Sequence, residues 1–197
     1  SWAQGFSIRN GLHGHNVIGM LPGSRSIPCD RYIIVGAHYD HLGELDGKLY
    51  PGADANASGT IVLTSLAEIF SSMKEMGRVY DANIIFVAFD AKEMGMSGSA
   101  SLWKLIDYAI LKDPLTGESI TKDKISAMVN IDQIGSTLSP ISRSREDYLL
   151  MLGTESLPKD KRMNLEICNR YHDINLVTMA ARPSQTYSTV FPTRRSL

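Results

Sequence analysis

His38, Asp54, Glu93 and Asp132 are the residues of this chain whose types and places suit chemistry. His38 closes an apolar run, Tyr32-Ile33-Ile34-Val35-Gly36-Ala37, with Asp40 two residues on. Asp54 lies in Pro51-Gly52-Ala53-Asp54-Ala55-Asn56-Ala57-Ser58-Gly59, just ahead of a helical pattern. Glu93 follows Asn83–Phe89, and Asp132 follows Ile125–Ile131. An imidazole and carboxylates gathered at strand ends suit a divalent metal such as zinc. A single loop acid is more often a cap or a solvated charge. Four groups of ligand type at successive sheet termini make that reading harder to hold.

The elements that must position these groups are written in the periodicity. Tyr32–Ala37, Asn83–Phe89 and Ile125–Ile131 are continuous apolar runs bounded by turn signals, which predicts strands buried on both faces, as in a parallel sheet. Asn16–Leu21 reads as a further strand, ended by Pro22-Gly23. Between them a helix is predicted over 61–73, with Val62, Leu66, Ile69, Phe70 and Met73 on one face, Asn56 or Ser58 as its cap, and Gly77 as its stop. A second helix is predicted over 100–111, with Leu102, Leu105, Ile106 and Ala109 inward. Residues 1–15 read as an opening loop and 112–122 as a polar one. Beyond Asp132, the chain offers a strand at 148–152, a helix at 158–172 and a short strand at 174–179. Alternating strands and helices predict an α/β three-layer sandwich: a mostly parallel central sheet with helices on both faces. In such sheets ligands bind at the carboxyl ends of the strands.

Composition limits the function classes. At 197 residues, with 43% hydrophobic and 21% charged, the chain can bury a sizeable core as one domain, 1–197. A net charge of -1 gives no footing for nucleic acid or an anionic membrane. No apolar run reaches the ~18 residues of a membrane span. Cys29 and Cys168 lack zinc-finger spacing, and sequence leaves a disulfide between them open. His13 and His15 have no accompanying carboxylate or thiolate and read as solvated histidines.

Several blocks carry a resemblance: Asn16-Val17-Ile18-Gly19, Gly36-Ala37-His38-Tyr39-Asp40-His41, Gly52–Gly59, Phe89-Asp90-Ala91-Lys92-Glu93 with Gly95 and Ser97-Gly98-Ser99, and Asn130-Ile131-Asp132-Gln133-Ile134-Gly135. In this order and spacing, from about residue 10 to 180, they resemble metallopeptidase family 28, the co-catalytic zinc aminopeptidases. That family also holds glutamate carboxypeptidases, the transferrin receptor ectodomain and, more distantly, glutaminyl cyclases. The resemblance implies a zinc-exopeptidase fold, two Zn2+ ions and a peptide substrate cut at its N-terminus by metal-activated water. It implies His38 and Asp132 as ligands of one zinc, Asp54 as the bridging carboxylate and Glu93 as a ligand of the other. Asp40 would orient His38, fixing its tautomer. Members of this type are usually exported, which makes the expected location extracytoplasmic. Oligomeric state is left open.

Two departures from the family pattern matter. Lys92 stands where the family carries its general-base glutamate. An ammonium has three donors and no acceptor, and a unit charge ~5 Å from a divalent ion at effective ε ~20 meets roughly 7 kcal/mol of repulsion. This implies either a neutral lysine or a site with less metal. The second departure is a missing Ser-Asp-His-like loop, which in the family completes the zinc site of Glu93. His172, at a predicted helix end, is the only late histidine. The tail Phe191–Leu197 resembles a translated sequencing adapter, so the expectation is a C-terminally truncated chain with one incomplete zinc site.

Three rivals remain. A catalytically silent member acting as a binding domain is favoured by Lys92. A serine hydrolase is prompted by Gly95-Met96-Ser97-Gly98-Ser99, but Ser99 stands where a nucleophile elbow needs its last glycine. A dinucleotide site fails because no Gly-x-Gly-x-x-Gly follows a strand.

Overall fold

The computed structural model describes residues 1–24, 30–136 and 148–181. Cys29 and the tail 191–197 lie outside the described residues. In chain order the elements are β1 (Trp2–Ser7), β2 (His13–Leu21), β3 (Tyr32–His38), β4 (Gly43–Leu45), β5 (Lys48–Tyr50), α1 (Gly59–Glu75), β6 (Asn83–Phe89), α2 (Ser97–Asp107) and β7 (Ile125–Ile131). They are followed by β8 (Leu149–Leu152), α3 (Lys159–His172) and β9 (Leu176–Met179). One compact unit ends at Gln133 and a second begins at Ile134.

In the first unit the sheet order is β1-β2-β6-β3-β7. β6, β3 and β7 run parallel, while β2 and β1 are added antiparallel at the β6 side. The sheet is therefore mixed, with its parallel part formed by the three buried apolar runs. Successive side chains of a strand point to opposite faces, so neighbours Phe86 and Val87 reveal what covers each face. Phe70 of α1 packs at a tilt beside Phe86, ring centroids 6.4 Å apart. Val87 clusters with Ile18, Ile34 and Ile85 against Leu102 and Ile106 of α2. Helices thus cover both faces, and α/β three-layer architecture holds. Leu102 and Ile106 are fully buried, each contributing about 1.5–3 kcal/mol.

Local departures have physical reasons. Residues 1–15 are not a loop: Trp2–Ser7 pairs antiparallel with His13–Ile18. Its inward positions are Trp2, Gln4 and Phe6, and the half-buried glutamine hides the alternation. Gln4 is held there by Asn16 Nδ2, which donates to Gln4 Oε1 at 2.6 Å, and by its own bond to Ser101 Oγ at 2.9 Å. His13 and His15 fall on the exposed side of β2. In α1 it is Leu63 that is buried, while Ile69 is 53% exposed. α2 begins at Ser97 and ends at Asp107, so Ala109, with φ of +56°, lies past it. Gly77, at φ +93°, follows α1 as expected.

In the second unit β8 and β9 pair in parallel, joined through α3. Asn169 of α3 ties the crossover, its Nδ2 donating to Leu176 O and its Oδ1 accepting from Leu176 N. Cys168 is a free, exposed thiol on α3.

Candidate metal centre

The three parallel strands end side by side. β3 lies between β6 and β7, with His38 opposite Phe89 and Ala37 opposite Ile131. This register brings Asp132, one residue past β7, beside the last residue of β3. His38 is 1% exposed. Its Nε2 lies 3.2 Å from Asp132 Oδ1. Its Nδ1 lies 3.0 Å from Asp40 O and 3.4 Å from Asp40 Oδ1. Asp40 Oδ2 accepts the Glu93 N–H at 2.9 Å. Asp40 Oδ1, although buried, makes no hydrogen bond among the described residues; its tie to His38 is electrostatic.

The charges explain the proton affinities. Burial alone would favour a neutral His38 ring, but the carboxylates of Asp132 and Asp40 outweigh it and push the pKa up to about 9, with Lys92 working against them. Burial likewise disfavours an ionised Asp40. His38 and the N–H groups of Glu93 and Lys92 reverse that and hold the carboxyl below the usual carboxylate range.

Asn56 holds these strand ends in place. It is 1% exposed. Its Nδ2 donates to His38 O at 3.2 Å and Ile131 O at 2.9 Å. Its Oδ1 accepts from Gly59 N at 3.1 Å and Gln133 N at 3.0 Å. The side chain therefore caps α1 while clamping the last residues of β3 and β7 together. Thr60 Oγ1 adds a bond to His38 O at 3.1 Å. Sequence reasoning saw Asn56 as a helix cap only; nothing local to residue 56 names the partners that lie far along the chain.

Asp54 sits in the turn before α1, where Ser58 Oγ donates to its main-chain oxygen at 2.8 Å and approaches its Oδ1 at 3.4 Å. Glu93 Oε1 is paired with Lys92 Nζ at 3.0 Å. The structure thus gathers His38, Asp40 and Asp132 in direct contact and ties Glu93 to Asp40 through its N–H. Among the described residues no three His, Cys, Asp or Glu side chains form a ready metal cluster. Ser97 Oγ donates to Met94 O at 2.8 Å and Ser99 Oγ to Met96 O at 3.1 Å, which is turn bonding at a helix start. His172 is the exposed last residue of α3, its ring edge-on to Tyr171.

The donor chemistry beside His38 fits zinc. An imidazole nitrogen and a carboxylate oxygen face each other, and a second carboxylate, with one orphaned buried oxygen, backs the ring. At Glu93, one carboxylate oxygen is paired with the Lys92 ammonium.

Comparison with known proteins bears on the family and the fold. The model of peptidase family M28 matches residues 16–186. A probable zinc metalloprotease of Pyrenophora teres f. teres is 31% identical over 125 residues, covering 61% of this chain and 23% of its own. Aminopeptidase YwaD of Bacillus subtilis is 29% identical over 122 residues, 62% of this chain and 22% of that protein. The solved structure of a zinc aminopeptidase from Bacillus subtilis shares the fold with a TM-score of 0.61 at 20% identity, covering 86% of this chain and 35% of that one. The chain spans about a quarter of the length of the first of these curated relatives.

Proposed function

The chain belongs to peptidase family M28, and from that premise we propose that it carries the metal-holding part of a zinc-dependent exopeptidase of aminopeptidase type, acting on N-terminal peptide bonds. The observation that supports this most is the Nε2 of His38 facing Asp132 Oδ1 at 3.2 Å, with Asp40 behind the ring. His38 and Asp132 would hold the ion; Asp54 belongs to the same set by its place in the family pattern. Zinc bound there supplies a Lewis acid for the scissile carbonyl and for water.

The chain's own residues do the rest. Asp40 keeps the proton on His38 Nδ1, through its main-chain oxygen at 3.0 Å and its carboxylate at 3.4 Å, so the ring's lone pair belongs to Nε2. Asn56 fixes the main chain under both His38 and Asp132, which spares the site the cost of ordering two strand ends when metal arrives. A second reading, a fold that binds without turnover, is supported by Lys92, which has no acceptor for a water's proton.

One assay separates the readings. Aminoacyl-anilide hydrolysis is measured on the metal-free chain and after zinc is restored, with bound zinc determined on the same sample. Zinc-restored hydrolysis that falls at least 100-fold in Asp132→Asn is expected for the peptidase. Zinc bound with no turnover would sustain the binding reading; no zinc and no turnover would sustain it too and end the peptidase reading. Asp40→Asn should leave the fold intact but weaken zinc by about 10- to 100-fold, read by competition with a chromophoric chelator. An unchanged affinity would remove Asp40 from its orienting role.

A further inference from the structure

The turn after β6 makes two adjacent side chains meet. Ala91, Gly95 and Met96 take φ of +55°, +78° and +57°, folding residues 90–96 back on themselves. Met96 N–H donates to Lys92 O at 2.9 Å and Ser97 N–H to Ala91 O at 3.0 Å. Lys92 Nζ thereby reaches 3.0 Å from Glu93 Oε1, with the side chains only 19% and 24% exposed. Exposed ion pairs are loose and contribute little; this one is anchored. Glu93 N–H is bound to Asp40 Oδ2. Lys92 also lines, with His38 and Asn130, a cavity of about 10 Å³, space for about one water. Asn130 Nδ2, buried, has no hydrogen bond among the described residues. The ammonium therefore faces the metal-ligating end of the sheet, close enough to oppose protonation of His38.

Resting on the zinc reading above, we propose that Lys92 is the built-in cation of Glu93, so that this chain takes a single zinc, at His38 and Asp132, and its own ammonium stands in for any second metal. The charges support this. Asp40, Asp54, Glu93 and Asp132 supply four negative charges. One zinc with Lys92 leaves a single negative charge over; two zincs with Lys92 would leave the cluster net positive. The ammonium 3.0 Å from Glu93 Oε1 takes up one of its two oxygens and sets a positive charge against any metal ion on the other.

The test is zinc stoichiometry. The full chain is stripped with chelator, exposed to excess zinc, freed of loose metal by gel filtration and measured by plasma mass spectrometry. One zinc per chain is expected for the wild type and for Lys92→Arg, which keeps the charge, and two for Lys92→Gln. Two zincs in the wild type would overturn the inference. So would one zinc in Lys92→Gln, although that result leaves the zinc reading standing. None in the wild type would overturn the zinc reading and this inference with it. A measurement on the wild type alone covers the case in which Lys92→Gln does not fold. The ammonium ¹⁵N resonance of Lys92, assigned by its loss in Lys92→Arg, should persist unshifted through one equivalent of zinc. A shift on that first equivalent would show metal displacing the lysine, contrary to the proposal.

Discussion

Asn56→Asp is expected to destabilise the chain by about 3–4 kcal/mol, although the two side chains have nearly the same shape. The amide uses its whole bonding capacity: Nδ2 donates to His38 O and Ile131 O, and Oδ1 accepts from Gly59 N and Gln133 N. A carboxylate keeps the two accepted bonds but turns the donor side into an anion against two carbonyl oxygens in a fully buried place. Ile131 O and the carboxylate oxygen turned toward it each lose a partner, at about 1–3 kcal/mol apiece and so roughly 2–6 kcal/mol together; His38 O retains Thr60 Oγ1 at 3.1 Å, which keeps the total near the middle of that sum. The penalty should also depend on pH in a definite direction. Burial beside carbonyls raises the introduced carboxyl's pKa in the folded state above its unfolded value, so the folded state binds the proton more tightly. Relative to wild type, the variant therefore loses least stability near pH 4 and progressively more as pH rises toward 7, by about 1.4 kcal/mol per unit of raised pKa. Urea midpoints for wild type and variant at both pH values read this out. A loss under 1 kcal/mol at pH 7 would mean that the clamp under His38 is not holding the strand ends.

The asymmetry between what sequence did and did not reveal follows from range. β6 and β7 begin and end at the residues predicted for them, and β3 is one residue longer, ending on His38 itself. Their apolar runs are continuous and their ends carry turn residues, so everything needed is local. His38, which closes β3, and Asp132, the first residue past β7, stood out for the same local reason; Asp40 was drawn from the family resemblance. Strand direction is not encoded in periodicity, and so the antiparallel β1 and β2 could not be foreseen in a sheet otherwise built of parallel runs. β1 was missed outright because Gln4 occupies an inward position and is satisfied only by Asn16 and Ser101, from elsewhere in the fold. The Lys92–Glu93 pair was invisible for a different reason. Adjacent residues diverge in any regular element, and only the positive φ angles at Ala91, Gly95 and Met96 turn this segment back on itself.

Gly98→Ala should reverse the sign that helix propensity assigns to it. Gly98 is the second residue of α2, where alanine would ordinarily add up to about 1 kcal/mol of stability. In this fold a Cβ at position 98 would sit 2.3 Å from Asp90 O, 2.5 Å from Asn16 Oδ1 and 3.1 Å from Asp90 N. Two of those atoms are main chain. The third belongs to a fully buried side chain already committed, its Oδ1 accepting from Asp90 N at 3.1 Å and its Nδ2 donating to Gly98 O at 2.9 Å. None can swing aside, so α2 must lift from the end of β6, and overpacking of this kind costs about 1–3 kcal/mol. A net loss near 2 kcal/mol is expected by urea denaturation. Gly19→Ala, where an added Cβ meets nothing within 4 Å, is the matching control and should stay within about 1 kcal/mol of wild type. The two should differ at the metal centre as well. Asp90 opens the turn that carries Glu93, whose N–H holds the Asp40 carboxylate at 2.9 Å. Pushing Asp90 away loosens Asp40 behind His38, so Gly98→Ala should bind zinc several-fold more weakly while Gly19→Ala binds it as the wild type does. Stabilisation by Gly98→Ala, or equal zinc affinity in the two variants, would show that the packing of α2 on Asp90 has no bearing on how His38 is held.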